Sequence, residues 1–288
     1  MTPPDQAEPL IRNISDTARW VAYYRAQESA RPDAIFRDPF AERLAGDRGR
    51  QIAQSMKFQS DNSWSMITRT YLIDRFLAAQ LPQGVDMVVN LAAGLDSRPY
   101  RLQLPASLQW IEVDLPGILD HKEEILRDEK PVCRLERVRL DLAEAESRRA
   151  LFQQIAARAK KVLILTEGFL IYLSPEEVAS LARDLAAHPN FQSWIIDIAS
   201  PGLLRMLNRS MGAKLSAAGV PFKFAPRAGP DFFAPLGWKL AGLQSIFKNA
   251  ARLKRLPLFL RFFALFPQPD QPPASRPWAG VCLLSRSS

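Results

Sequence analysis

Between residues 86 and 200, five runs rich in apolar residues alternate with helical patterns, and no other feature of the sequence limits the fold as much. The runs are DMVVNL (86–91), LQWIEVDL (108–115), CRLERVRLDL (133–142), KVLILTEG (161–168) and SWIIDIAS (193–200). Helical patterns at 116–129, 143–159 and 174–187 separate most of them. The last of these starts with Ser174 as a cap, Pro175 at the first helical position and Glu177 three residues on. Strands that are apolar nearly throughout need cover on both faces, and crossover helices supply it. The pattern therefore predicts a doubly wound α/β fold around a mostly parallel sheet.

The flanking regions extend that core within a single 288-residue domain. Residues 1–82 read as an N-terminal helical cap, with one helix over 14–30 that Ser15 or Asp16 can cap. A turn and a short helix closed by Gly46 follow, then a second long helix over 63–80 with Met66, Ile67, Tyr71, Ile73, Leu77 and Ala78 on its buried side. Residues 83–200 form the ligand-binding core, and 201–229 read as a helical insertion suited to a lid. Residues 230–288 complete the sheet: a short helix over 230–237, a strand at WKLAGLQSI, a basic and aromatic helix over 247–266, a Pro-rich return, and a terminal strand GVCLLS (280–285). The expected sheet has seven strands, with the terminal one as an antiparallel edge partner.

Composition narrows the function classes. The net charge of +8 is uneven: residues 202–288 hold 13 Lys and Arg against 2 Asp and Glu, whereas the first 201 hold 25 against 28. A basic face of this kind suits a carboxylate substrate, an anionic lipid surface or nucleic acid, or simply stays solvated. Cys133 and Cys282 make neither a disulfide framework nor a metal-ligand spacing, and with His121 and His188 as the two histidines no metal site is expected. These features suggest a reducing, cytoplasmic setting. The start MTPPDQAEPL lacks a signal-peptide pattern, and LPLFLRFFALFP (256–267) is too short to span a bilayer and has Arg261 at its centre.

In open parallel sheets ligands bind beyond the carboxyl ends of the strands, near the point where strand order reverses. At those ends stand the turn Asn90–Gly94, Asp114, Asp141 with Leu142, and Glu167 with Gly168. Asp114 follows Gly94 by 20 residues, a distance at which an acid can reach a ribose diol. A dinucleotide fingerprint aligned on Gly94 would want glycine at 92 and 97, where the chain has Ala92 and Ser97. Close approach of a pyrophosphate is therefore disfavoured, and S-adenosylmethionine, which has no phosphate, fits better. Its ribose diol wants Asp114, its adenine amino group Asp141 with the Leu142 amide beside the ring, its ammonium Glu167 or carbonyls of the 92–94 turn, and its carboxylate the Arg69 fork. Each residue also has a plain structural reading: Asp114 and Asp141 as helix caps, Arg69 as a partner of Asp74 or another surface acid.

The segments SDTARWVAYYRAQES, RDPFAERLAG, ITRTYLIDRFL, NLAAGLDSRPYRL, WIEVDLPGILDHKEEIL, RLDL and LILTEGFLIYLSPEEV, in this order, carry a resemblance. The chain resembles the leucine carboxyl methyltransferase family, in particular its bacterial branch of class I S-adenosylmethionine-dependent O-methyltransferases. The C-terminal third resembles it more loosely, through FFAPLGW and GVCLLSR. The resemblance implies the Rossmann-like class I methyltransferase fold. It also implies cofactor roles for Arg69, Gly94, Asp114, Asp141, Leu142 and Glu167, and for a basic residue of the first helix, for which Arg25 is the candidate. Ala92 departs from it, since relatives often have glycine there; its methyl is expected to crowd the turn.

The expected activity is methyl transfer from S-adenosylmethionine to a carboxylate or hydroxyl of a small-molecule or protein acceptor, a hydrophobic one included. The alternatives are a non-catalytic S-adenosylmethionine-binding regulator of the same fold and, further off, a nicotinamide enzyme. A carboxylate needs no general base, and neither His121 nor His188 is well placed to be one. Tyr24 and Tyr172, with Tyr23 and Trp64, are the aromatic candidates for a substrate pocket, although such residues equally build cores. No aromatic-basic stacking motif and no (N/D)PP(Y/F/W) segment point to a nucleic-acid acceptor. KNAARLKRLPLFLRFFALFP has the mixture of a membrane-surface helix, but a helix covering the sheet edge with its bases in solvent is the preferred reading. The sequence specifies no oligomeric state.

Overall fold

The structure, a computed structural model, describes residues 14–55, 63–217, 219–266 and 274–287. The opening MTPPDQAEPL and the proline run at 267–273 lie outside the described residues. In chain order the elements are α1 (Ile14–Ser29), α2 (Ala41–Ser55), α3 (Ser63–Gln80), β1 (Met87–Leu91), α4 (Arg98–Arg101), β2 (Gln109–Asp114), α5 (Pro116–Ile125), β3 (Arg134–Arg139), α6 (Ala145–Arg158), β4 (Val162–Thr166), α7 (Pro175–Ala186), β5 (Phe191–Ala199), α8 (Pro201–Ala217), β6 (Trp238–Ser245), α9 (Ile246–Arg252), α10 (Leu258–Arg261) and β7 (Ala279–Arg286).

The seven strands form one sheet in the order β3-β2-β1-β4-β5-β7-β6. β1 to β5 are parallel, and β7 runs antiparallel to both of its neighbours. The terminal strand is thus antiparallel as expected, but it lies between β5 and β6 rather than at the edge. It is apolar through Gly280–Leu284 and buried there, whereas β6 is largely exposed and serves as the edge. β1 pairs with β2 on one side and β4 on the other, so strand order reverses at the carboxyl ends of β1 and β4.

Alternate side chains of the central strands feed two cores. Met87, Val89 and Leu91 pack with Phe152 and Ile155 of α6 and Val178, Leu181 and Leu185 of α7. On the other face Val88 and Leu165 meet Leu72, Ile73 and Leu77 of α3 and Ile246 of α9. The helix over 63–80 has the expected bounds, but Ala78 is exposed and Leu72 is buried in its place. The box at Ser174 and Glu177 forms in both directions. Gly46, at φ 58°, interrupts α2 but a second helical piece continues to Ser55. Asp16 lies inside the first turn of α1 and pairs with Arg48 at 2.6 Å. The single helix expected over 247–266 is broken: Lys254 adopts φ 57° and Pro257 cannot continue a helix, so α9 ends and α10 starts afresh.

One buried ion cluster ties α5 to the sheet. Glu112 of β2 accepts from Lys122 Nζ at 2.7 Å and Arg137 Nε at 2.9 Å, and both Glu112 and Lys122 are fully buried. Glu112→Gln takes from the buried Lys122 ammonium its direct carboxylate partner, and removal of one partner of a buried pair typically costs about 3–5 kcal/mol. Urea unfolding of the variant should show a loss of that order.

Candidate active site

A cavity of about 990 Å³ opens at the carboxyl ends of the parallel strands. Its floor is the turn after β1, the Asp114–Leu115 corner, residues 140–143, the Glu167–Phe169 corner and Asp197–Ala199 of β5. Side chains from α1, α3 and α8 cover it. The cavity therefore stands where strand order reverses, as open α/β sheets place their ligands.

The turn after β1 is tight because two small residues bend it. Ala92 and Gly94 have φ of 54° and 49°, in the left-handed region. The amide of Gly94 donates to Asp114 Oδ2 at 2.6 Å and that of Leu115 to Oδ1 at 2.7 Å. Both carboxylate oxygens are fixed by backbone donors, and each keeps a lone pair for a ligand. Burial raises the Asp114 carboxyl above its ordinary value, partly opposed by those two amides. The helix-capping reading of Asp114 does not hold, since Leu115 is the N-cap of α5 and makes no side-chain cap. Asp141 is exposed and lines the cavity; its Oδ1 accepts from the Ala143 amide at 2.9 Å, while Leu142 is buried beside it. The next helix is preceded by Glu144 as N-cap, so Asp141 closes a turn instead.

Arg69 does not pair with Asp74. Its Nε donates to Glu167 Oε1 at 3.1 Å and its Nη1 to Asp197 Oδ2 at 3.2 Å; Nη2 makes neither bond. Gly168 lets it lie there: at φ 64°, a Cβ on that residue would come 3.1 Å from Arg69 Nη1. The Gly168 amide donates to Asp197 Oδ1 at 2.7 Å, locking the same corner. Glu167 also accepts from Arg98 Nη1 at 2.8 Å through Oε2. Burial pushes the Glu167 carboxyl up, but Arg98 and Arg69 more than offset it, so it titrates below the ordinary range.

Arg25 lines the cavity while its own polar atoms face inward: Nε donates to Asp38 Oδ2 at 2.8 Å and Nη2 to the Leu95 carbonyl at 2.6 Å. It anchors the 92–98 turn. Tyr172 lines the cavity, with its ring 5.3 Å from that of Phe222, and burial raises its phenol. Tyr24 is not among the lining residues; it packs with Trp20, Ile52 and Met211. Trp64 lines the cavity and Tyr23 does not. The insertion contributes Leu203, Met206, Leu207, Met211, Phe222 and Phe224 to the wall. His121 and His188 are absent from the lining, and burial lowers both imidazoles.

Three residues of the site escaped sequence reasoning. Asp197 would have followed from applying the strand-end rule to SWIIDIAS as well as to the earlier strands. Asp96 and Arg98 lie in LDSRP, where the signal was a charged pair inside a turn of small residues. Asp96 takes a hydrogen bond from Asn90 at 2.8 Å and ion-pairs with Arg98 at 2.9 Å. Burial works against its charge, but Arg98, Lys122 and Arg101 outweigh that and hold its carboxyl at about 2.

A family model described as leucine carboxyl methyltransferase matches residues 18–186. The chain belongs to the leucine carboxyl methyltransferase family. Relatives named as S-adenosyl-L-methionine-dependent methyltransferases include one from Streptomyces coelicolor, 34% identical over 251 residues, covering 78% of this chain and 81% of that protein. Another, from Frankia alni, is 32% identical over 235 residues, covering 77% and 82%. A third, from Mycobacteroides abscessus, is 34% identical over 193 residues; there the matched region spans 61% of this chain and 62% of the relative. Among solved structures, a Thermobifida fusca chain described as a methyltransferase superposes with a TM-score of 0.62 at 12% identity, covering 100% of both chains. A DUF574 family protein of Streptomyces avermitilis gives 0.61 at 14% identity, covering 94% of this chain and 97% of its own. At such identities these two structures share the fold.

Ala92 holds a left-handed backbone that glycine adopts without strain and that brings a Cβ close to the following carbonyl. Ala92→Gly should leave the unfolding free energy unchanged or raise it by up to about 1 kcal/mol, since relief of strain outweighs the added freedom of the unfolded chain. Urea titration of the two proteins measures this. A fall would mean that the left-handed conformation costs Ala92 nothing here.

Proposed function

We propose that this leucine carboxyl methyltransferase relative uses S-adenosylmethionine to methylate an oxygen of an apolar acceptor, with a carboxylate favoured over a hydroxyl. The observation that carries the cofactor reading is Asp114, which lines the cavity at the end of β2 with both oxygens oriented by backbone amides. Their remaining lone pairs match the two hydroxyls of a ribose. Asp141, with Oδ2 left over, and the Leu142 amide suit an adenine edge. Arg69, Glu167 and the 92–94 turn suit the amino-acid end, and Arg25 acts through the turn that it ties.

Charge supports the same assignment. Arg69, Asp96, Glu167 and Asp197 line the cavity and are linked by ion pairs to Arg98 and, through Asp74, to Arg101 behind them, so carboxylates exceed guanidiniums by one among these seven residues. S-adenosylmethionine carries a sulfonium, an ammonium and a carboxylate, one net positive charge, which this surplus complements. When bound, it supplies an electrophilic methyl group for in-line displacement. The protein then has to align the acceptor, exclude water and present an unprotonated oxygen. The described residues lining the cavity include no histidine; the Tyr172 phenol is raised by burial, Glu167 is held ionised by two arginines, Asp96 and Asp197 are paired with Arg98 and Arg69, and Asp114 and Asp141 are assigned here to the cofactor. An acceptor that is already anionic meets the requirement without help. The apolar side chains of α8 and Phe222, Phe224 and Trp278 suit a hydrophobic body on that acceptor.

Calorimetric titration tests the cofactor assignment. S-adenosylmethionine and S-adenosylhomocysteine should bind, NAD should not, and Asp114→Ala should weaken binding at least about ten-fold, as expected for loss of charge-assisted hydrogen bonds. Incubation with apolar carboxylic acids and matched alcohols, read by mass spectrometry, tests the acceptor. Methyl esters are expected; ethers alone would overturn the carboxylate preference, and binding without transfer to either set would favour the non-catalytic alternative.

Acid separates binding from folding. Asp114 has a raised carboxyl, so affinity should fall as pH drops through a value above the usual carboxylate range. The same shift has the opposite sign for stability, because a raised acid favours the folded state once protonated. Asp96, depressed from 3.8 to about 2, contributes stability that is complete above its unfolded value and is lost as pH falls between those two values. Titrations at decreasing pH should therefore lose S-adenosylmethionine affinity before the circular-dichroism signal of the fold.

A further inference from the structure

At the mouth of the cavity, residues 258–266 hold out a cluster of large apolar side chains. Leu258 is 80% exposed, Phe259 63%, Phe262 60%, Phe263 55% and Phe266 53%. The ring of Phe262 meets those of Phe263 and Phe266 edge-on at 5.9 and 5.3 Å, so the aromatics form one body. Water penalises such a contiguous patch, and monomeric proteins rarely keep one without a use. The sheet-covering reading of this region applies to its first part alone: Ile246 and Ala250 of α9 are buried, whereas α10 and the turn after it bury little.

The cluster is held in place at its root. Arg255 donates to Glu28 at 2.8 Å and pairs with Asp33 at 3.1 Å, Leu256 is buried, and Arg261 Nε donates back to the Leu256 carbonyl at 3.1 Å. The tip is also continuous with the interior, since Phe259 and Phe263 line the cavity together with Met206 of α8, itself 43% exposed.

Charge identifies the surface that fits. Arg252, Lys254 and Arg261 are exposed around the cluster, Arg205 and Arg209 are exposed on α8, and no acidic residue occurs between 238 and 266. Aromatic and aliphatic side chains ringed by Lys and Arg are what the headgroup boundary of an anionic bilayer accommodates. Two copies of the patch would instead bring like charges together.

We propose that residues 258–266 dock on an anionic lipid surface and seat the cavity mouth against it, so that an apolar acceptor enters from the lipid side. The docking stands independently of methyl transfer; the entry of an acceptor rests on the function proposed above. Co-sedimentation of the full chain with vesicles tests it, comparing phosphatidylcholine with equal parts phosphatidylcholine and phosphatidylglycerol. Binding is expected to the anionic vesicles, decreasing with salt. Leu258→Asp with Phe262→Asp, and separately Arg252→Glu with Lys254→Glu, should each lower the partition at least about ten-fold. None of these four residues lines the cavity, so the variants should keep the wild-type melting midpoint and affinity for S-adenosylmethionine. Equal binding to neutral and anionic vesicles, no binding to either, or folded variants that still bind would overturn the proposal. So would a wild-type dimer in size-exclusion chromatography that Leu258→Asp with Phe262→Asp converts to monomer, since a second copy would then cover the patch.

Discussion

The Arg98 guanidinium, 2% exposed at the side chain, is the joint on which the cleft depends. It donates to Asp74 of α3 at 2.6 Å, to Asp96 in the turn after β1 at 2.9 Å and to Glu167 after β4 at 2.8 Å. Three separate pieces of the chain are thereby fixed to one planar fork. A buried cation is tolerable only when its desolvation is offset by well-placed acceptors, and removal of any one of them leaves charge unpaired. Ser97 extends the joint by donating to Asp38, the partner of Arg25, at 2.6 Å. The N-terminal helices are thus fastened to the sheet by polar contacts at the site as well as by packing.

That joint sets the geometry of everything a ligand would touch. The turn that presents the Gly94 amide to Asp114 is held from beneath by Arg98 and from the side by Arg25. Arg69 comes from α3, the helix that Arg98 also grips, and reaches Glu167 and Asp197 across the point where strand order reverses. These groups hold one another in place through paired charges, so their orientation does not depend on any one flexible side chain. The other side of the cavity, assigned above to the acceptor by proposal, is built differently, from apolar side chains of α8 and the segment before β7, and the basic aromatic cluster lies at its mouth. A polar end and an apolar open end thus divide the cavity, the division that the proposed placing of cofactor and acceptor requires.

The parts of this arrangement visible in the sequence are those governed by local rules. Apolar runs and helical spacing gave the five parallel strands and their crossovers, because a buried strand or an amphipathic helix leaves its period in the chain. The strand-end rule brought Gly94, Asp114, Asp141 and Glu167 to the cavity, because topology alone determines which residues face it. The rest depended on partners far away in sequence. The place of β7 between β5 and β6 is a matter of pairing, and nothing in GVCLLS names its neighbours. Arg69 shares its carboxylate with Arg98 across α3 and β4, which no spacing reveals. Tyr24 and Tyr172 have the same local character, yet one packs inside the N-terminal helices and the other faces the cavity. The helix over 247–266 broke at a left-handed Lys254, a conformation that local propensity would not assign to lysine.

The central claim is that the ends of β1, β2, β3 and β4 form one cofactor pocket, and hydrogen exchange in the presence of S-adenosylhomocysteine tests it most directly. Protection should rise together in peptides containing 92–96, 114–116, 141–143 and 167–169, with residues 258–266 unchanged. Protection confined to 258–266, or absent from the 92–96 and 114–116 peptides at saturating ligand, would contradict it.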